Sequence, residues 1–372
     1  MNRFPIGNYG GRGAWIARSL IVVFYLFLFA FFLYGPKLFE SFFLGEKSIN
    51  VYMFMDVLDQ DILNDFERET GVNVNVSYYD QNEELLAKFR ISGGEGYDLV
   101  MPSDFMVEFL LQYNLLQKID KSKLKNYSKI DKRLLGYFFD PKNDYSLPYA
   151  WTVYGIGYNK KYVKNIDTWT PAFEQDLDVI NRFGDEYKVC MMDEAVEAVE
   201  VAAMYLFGRP IGLFQEEIEQ AKQALIKQRS FVEVYTHSSL KYFLYSEIVP
   251  MVVCYASTMK MAMMEDDRFG FIVPKEGSLL ALENLAIPAA SKNVDLAHKL
   301  IDFILSKKSA VASYDNYGFN PSNMEAYSLL DPKYAKNVNL LPDDKTFTRV
   351  HCYRSQLTPE KQEEMWLSIK TS

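Results

Sequence analysis

SINVYMFMDVLDQDILNDFERETGVNVNVSYYDQNEELLAKFRISGGEGYDLVMPS, residues 48–103, decides the fold class. Residues 48–55 read as a strand. Residues 61–70 read as a helix, with Ile62, Leu63 and Phe66 on one face and Gly71 just beyond its end. Residues 72–79 alternate with period two and give a second strand. Residues 82–91 form a short amphipathic helix closed by Gly93 and Gly94. Residues 98–101 are a third, short strand, broken by Pro102, and Ser103 caps a helix to about Leu111. Strand and helix in strict alternation predict a parallel sheet with right-handed crossovers. No GxGxxG or GxxxxGK[ST] occupies the turns, which argues against nucleotide binding. Ligands of such sheets bind beyond the carboxyl ends of the strands. The expected binding loops are therefore 54–57, 79–82 and 102–105.

Further along, SLPYAWTVYGIGYN (146–159) is a long strand-like run in which Gly155 and Gly157 alternate with apolar residues. Glycine inside a strand marks a bend or a close backbone approach. SLLALENLAIPAAS (278–291) is similar in length and apolarity. Both are expected to cross between two lobes, with a second α/β segment between them. VDLAHKLIDFILS, after the second crossing, has the pattern of an amphipathic helix.

The 372 residues suffice for two domains, and 49% hydrophobic with 24% charged residues is a globular composition. A net charge of −9 argues against a phosphate-backbone binder. Cys190, Cys254 and Cys352 show no CxxC spacing, and only 3 His are present, so no zinc cluster and no cofactor are expected. Residues 19–36, SLIVVFYLFLFAFFLYGP, carry no charge. Arg3, Arg12 and Arg18 precede them, and Lys37 and Glu40 follow. Such a run is near the lower length for spanning ~30 Å of hydrocarbon. The positive-inside rule puts residues 1–18 in the cytoplasm and the remainder outside. A cleaved signal peptide is the alternative, although the exit of the run has no good small-residue cleavage site.

Two acidic features stand out. In MMDEAVEAVE (191–200), Asp193, Glu194, Glu197 and Glu200 crowd one helix start. Acids there are stabilised by the helix dipole whether or not they bind anything. Glu194 and Glu197, three apart, share a face. Asp193, about 100° around from Glu194, is expected to cap. Glu283 lies inside the nearly continuous apolar strand LLALENLAIP. A carboxylate there is costly unless it has a partner or reaches a cleft.

ERETGVNVNVSYYDQNEELLAKF (67–89), YDLVMPSDFMVEFLLQYNLLQKIDKSKLKNYSKID (97–131) and FDPKNDYSLPYAWTVYGIGYN (139–159) resemble the periplasmic spermidine/putrescine-binding proteins of ABC transporters. FIVPKEGSLLALENLAIPAASKN (271–293) and YGFNPSN (317–323) continue the resemblance, which covers about residue 49 to the C-terminus and is weak over 160–188. It implies a two-lobed α/β fold of the type II periplasmic-binding-protein kind, here preceded by the N-terminal membrane helix. The lobes would be 47–152 with 285–317, and 153–284 with 318–372, joined by crossings near 153–156, 282–285 and 314–321. The implied function is a solute-binding protein, not an enzyme. It takes a polyamine between closing lobes and delivers it to an ABC permease at the outer face of the inner membrane.

The resemblance also implies the site. Four carboxylates carry over as Asp56, Glu194, Glu197 and Glu283, with Phe54, Ser103 and Phe319 beside them. Two wall positions usually filled by tryptophan become Cys254 and Ala281. Met55 replaces a hydroxyl, Val57 a tyrosine, and a C-terminal amide position falls near Tyr353. Convergent carboxylates suit ammonium groups, and aromatic walls suit the methylenes between them. The thinned aromatic box leaves open another small cation of wider girth, and the anchor leaves open a tethered sensor. An enzyme is disfavoured, since GxSxG, HExxH and Cys/His nucleophile patterns are missing.

Overall fold

A computed structural model of the chain describes residues 47–372 apart from 56, 177, 181–185, 213, 237–238 and 355–356, and before them residues 20, 21, 23–25, 28, 29 and 31. The alternation read from the first segment becomes β1 (Ser48–Phe54), a helix Gln60–Thr70, β2 (Asn73–Tyr79), a helix Asn82–Ser92, β3 (Leu99–Met101) and a helix Asp104–Gln112. β1 lies between β2 and β3 and is parallel to both. Asp59 starts the first helix by accepting the Asp61 amide at 2.8 Å. Gly71 ends it at φ 68°, a left-handed conformation open to glycine without a Cβ penalty. Ile62, Leu63 and Phe66 pack with Ile49 and Val51 of β1 in one apolar cluster.

The remaining strands are β4 (Leu116–Gln117), β5 (Ser146–Asn159), β6 (Val189–Met191), β7 (Val232–Tyr235), β8 (Met251–Tyr255), β9 (Phe269–Ile272), β10 (Ser278–Pro288), β11 (Asn320–Pro321) and β12 (Val350–His351). The spatial order is β2-β1-β3-β10-β5-β8-β6-β7. β5 changes partners along its length. Residues Ser146 to Val153 pair with β10, while Tyr154 to Asn159 pair with β8 and β9. One continuous strand thus pairs with β10 at its start and with β8 and β9 at its end. A Cβ on Gly155 would collide with the Ile272 carbonyl oxygen, so the strand needs glycine where β9 approaches. β6 is parallel to both β7 and β8. The helices Ala195–Phe207, Gln215–Gln228 and Pro359–Lys370 pack on one another beside this second sheet.

The stretch after Gly318, expected to open the second lobe, bonds to segments of both expected lobes. β11 pairs with Ala150 and Trp151 of β5, and the Asn323 amide donates to the Leu305 carbonyl at 2.9 Å. Asn320 Nδ2 donates to the Leu340 carbonyl at 2.9 Å, Lys333 Nζ lies 3.0 Å from Asp267, and the Tyr334 hydroxyl lies 3.3 Å from the Met263 carbonyl. The expected cytoplasmic segment 1–18 lies outside the described residues, as does much of the expected span 19–36. Among the described residues no helix is long and apolar enough to cross a membrane.

Candidate functional site

The carboxyl ends of β1, β2, β3 and β8, a bulge in β10 and the start of the Ala195–Phe207 helix surround one cavity of ≈ 270 Å³. Its wall contains Phe54, Met55 and Val57, then Asp80 and Asn82, then Ser103, so each of the three expected βα loops reaches it. From the start of the Ala195–Phe207 helix and the end of β8 come Glu194, Glu197 and Tyr255, and from β10 and the turn before β11 come Glu283 and Phe319. The volume lies just under the ~300–1,000 Å³ usual for small-molecule pockets, which favours a slender ligand.

Glu197 sits in the first turn of its helix and is 5% exposed. The Tyr255 hydroxyl lies 2.8 and 3.0 Å from its two carboxylate oxygens, and the Tyr353 hydroxyl donates to Oε1 at 3.2 Å. Glu194 is the residue before the first turn, at φ −139°, with no side-chain capping bond. Both acids therefore stand at the positive end of one helix, on the side that faces the cavity. Glu283 sits where the β5–β10 register shifts, and its backbone bridges to Ser103. Its Oε2 and the Ser103 Oγ are buried without a hydrogen-bond partner among the described residues. Both are polar groups waiting on a partner inside the cavity, since buried polar atoms are otherwise paired.

The electrostatics are those of acids crowded together in a low dielectric. Burial, then the charge of Glu197, pushes the Glu283 carboxyl up to about 8. Burial raises Glu194 well above the carboxylate range, with Glu197, Glu83 and Asp193 adding to the effect. Behind the cavity, burial raises Asp104 strongly, and Glu197 and Glu283 push further, against the Phe105 N–H that donates to it at 2.8 Å. An entering cation would stabilise the ionised form of all of them. Among the described residues no group of three or more potential ligands could hold a metal ion. The walls are aromatic: Phe54 lies 4.2 Å from Tyr79 between ring centroids, and Tyr255 lies 4.4 Å from Tyr154.

Six of the seven expected site residues, Phe54, Ser103, Glu194, Glu197, Glu283 and Phe319, line this one cavity. Asp56, the seventh, lies outside the described residues. The wall assignment at β8 shifts by one residue. Cys254 is 1% exposed and faces away, because successive strand residues point to opposite sides, and Tyr255 supplies the ring. Ala281 is buried and not part of the cavity wall. Asp193 does not cap the helix. It accepts from Trp366 Nε1 and from Lys370 Nζ, both at 2.7 Å, tying the helix start to the C-terminal helix. Glu200 is 3% exposed and accepts the Ile211 amide at 2.8 Å, a structural role. Tyr255 escaped notice in the sequence; its place in the wall follows from the register of β8 against β5.

The model of the family "Bacterial extracellular solute-binding protein" matches residues 61–342. The spermidine/putrescine-binding periplasmic protein of Salmonella typhimurium is 31% identical over 308 residues, 82% of this chain and 86% of that one. A putrescine/cadaverine-binding protein of Pseudomonas aeruginosa is 27% identical over 338 residues, 88% of this chain and 94% of that one. Among solved structures, a putative spermidine/putrescine ABC transporter protein from Listeria monocytogenes superposes with a TM-score of 0.77 at 27% identity, covering 87% of this chain and 99% of the other.

Proposed function

The chain belongs to the spermidine/putrescine-binding periplasmic protein family of bacterial extracellular solute-binding proteins, and from that premise we propose that its cavity holds a polyamine. It is the substrate-binding protein of an ABC transporter and not an enzyme. The observation that carries the ligand reading is the convergence of Glu194, Glu197 and Glu283 from separate elements onto one narrow cavity with aromatic walls. Each carboxylate pairs with an ammonium group in a charge-assisted hydrogen bond. The methylenes between ammonium groups lie against Phe54, Phe319 and Tyr255, where the rings add cation–π attraction. Asp56 serves as a further carboxylate, and Ser103 as a hydroxyl partner. Such a ligand is held between a lobe of 47–152 with 285–317 and a lobe of 153–284 with 318–372, which close on it by hinge motion. The closed form delivers the ligand to a membrane permease.

We further propose that residues 19–36 remain as an anchor in the inner membrane. The uncharged run and the arginines before it support this. Recovery of an Arg3-containing peptide from the mature protein is the expected result, and a mature N-terminus beyond residue 36 would refute it.

Calorimetry and thermal shift with putrescine, spermidine, spermine, amino acids and neutral sugars test the ligand. A response confined to the polyamines is expected. A clear response to a neutral sugar with none to any polyamine would overturn the reading.

A further inference from the structure

The turn between β2 and the Asn82–Ser92 helix reaches the cavity through Asp80 and Asn82. Asp80 is exposed, so water satisfies its carboxylate. Asn82 is 6% exposed, and its side-chain oxygen Oδ1 is buried without a hydrogen-bond partner among the described residues. An amide oxygen in that position has given up water and gained nothing, which is unfavourable unless something else arrives to bond it.

The helix makes no use of this oxygen. Asparagine favours the capping position of a helix, where its side chain accepts an unpaired N–H of the first turn. Here the capping position is Gln81, and Asn82 is already the first helical residue. Other groups close the helix start. The amides of Glu84 and Leu85 donate to the Gln81 carbonyl at 3.1 and 3.4 Å, and Glu84 Oε2 accepts the Asp80 amide at 3.2 Å. The end of β2 is held as well: the Tyr79 hydroxyl donates to the Met101 carbonyl at 2.7 Å, and its ring packs on Phe54 of the cavity wall. Asn82 is therefore fixed at the cavity by neighbours that leave its Oδ1 unbonded. Ser103 Oγ and Glu283 Oε2 are in the same condition in the same wall.

A primary ammonium carries three N–H donors and no acceptor. Further carboxylates could meet those donors only by adding to the repulsion among Glu194, Glu197 and Glu283. A neutral amide oxygen accepts an N–H without adding charge. We propose that Asn82 is a further ligand-contacting residue, whose Oδ1 accepts one N–H of a ligand ammonium on the β2 side of the cavity. Asn82 is not among the positions that carry over from the family. The assignment rests on the polyamine reading of the cavity and adds a neutral acceptor to its carboxylates.

The test is calorimetry on the full chain with putrescine and spermidine, for the wild type, Asn82→Leu and Asn82→Asp, with thermal melts of each protein free of ligand. Leucine has nearly the same shape and no acceptor. It is expected to lose about tenfold in affinity, the usual loss for one hydrogen bond to a charged group. Free of ligand it is expected to melt no lower than the wild type, because an apolar group takes the place of an unpaired polar one. Aspartate keeps an oxygen at the same place and is expected to bind at least as tightly as the wild type. Unchanged affinity in Asn82→Leu would overturn the assignment and leave the polyamine reading standing. So would a lower melt of the ligand-free leucine variant, or equal losses in the leucine and aspartate variants, either of which marks a structural amide. No binding of either amine by the wild type would overturn both.

Discussion

The Tyr255 hydroxyl reaches both carboxylate oxygens of Glu197, at 2.8 and 3.0 Å, from the last residue of β8 to the first turn of the helix after β6. With Tyr353 on Oε1 at 3.2 Å, this fixes the carboxylate in one orientation before any ligand arrives. Glu197→Gln keeps the shape and removes the charge. Truncating one partner of a buried charge pair costs about 2–5 kcal/mol, so polyamine affinity should fall by about 30-fold or more. Tyr255→Phe leaves the charge and frees its orientation, for a loss of about tenfold, a typical value for a hydrogen bond to a charged group. Unchanged affinity in Glu197→Gln, measured by calorimetry on a variant with a normal melt, would remove Glu197 from the site.

Glu283 predicts how binding follows pH. Its carboxyl is pushed up to about 8 in the free protein by burial and by the Glu197 charge. A bound ammonium favours the ionised form and brings that value down. Between pH 6 and 8 binding must therefore release a proton, so affinity rises with pH by up to tenfold per unit and levels off above about 8. Calorimetry at pH 7 in two buffers of different ionisation enthalpy should show release approaching one proton per ligand. Equal observed heats in the two buffers, which mean no proton is released, would contradict the placement of Glu283 against the cation. In Glu283→Gln the pH dependence should flatten along with the loss of affinity.

Much of this site was legible because each signal was local. Three βα loops followed from strand alternation and the carboxyl-end rule, and residues of all three line the cavity. An acid inside the apolar run of β10 announced Glu283 by its desolvation cost alone. The distinction between Cys254 and Tyr255 needed the strand's register against β5, where Tyr154 faces Tyr255 and Gly155 faces Cys254. Composition and resemblance do not set that register. Asp193 was misread for another reason. Its partners, Trp366 and Lys370, are more than 170 positions away. No local pattern reports a contact made by docking the C-terminal helix.

Glu200 separates stability from binding. Burial holds its carboxyl at about 8, against the Ile211 amide that donates to it at 2.8 Å. The folded-state value is raised above the unfolded one, so the folded state binds the proton more tightly. Its stabilising contribution is complete below about 4.5 and is lost as pH rises toward 8. Glu200→Gln keeps an acceptor for Ile211 and has nothing to titrate. The wild type should melt at a lower temperature at pH 9 than at pH 5, and the variant should show a smaller difference. Polyamine affinity in the variant should match the wild type, because Glu200 lines no part of the ligand cavity. Identical pH dependence of melting in the two proteins would refute this role.

Arg354 offers a test of lobe closure that leaves the cavity untouched. It follows β12, which pairs with the second-lobe end of β10, and its Nε donates to Glu108 Oε1 at 2.8 Å on the first-lobe helix Asp104–Gln112. With the lobes as proposed, the pair spans the cleft and exists only while they are together. Its strength is that of a partly exposed ion pair, up to about 1 kcal/mol, but all of it acts on the opening equilibrium. Glu108→Gln should therefore weaken polyamine binding about threefold to fivefold, mainly by faster release. Arg354→Gln should lose at least as much, because its guanidinium also lies 5.0 Å from the centre of the Phe138 ring, and the double variant should lose little more than Arg354→Gln alone, since Glu108 acts through that residue. At 1 M salt, where the screening length is ~3 Å, the difference from the wild type should vanish. Stopped-flow dissociation rates measure the effect directly. Additive losses in the double variant, or losses that persist at high salt, would show that the pair does not act as a clasp between the lobes.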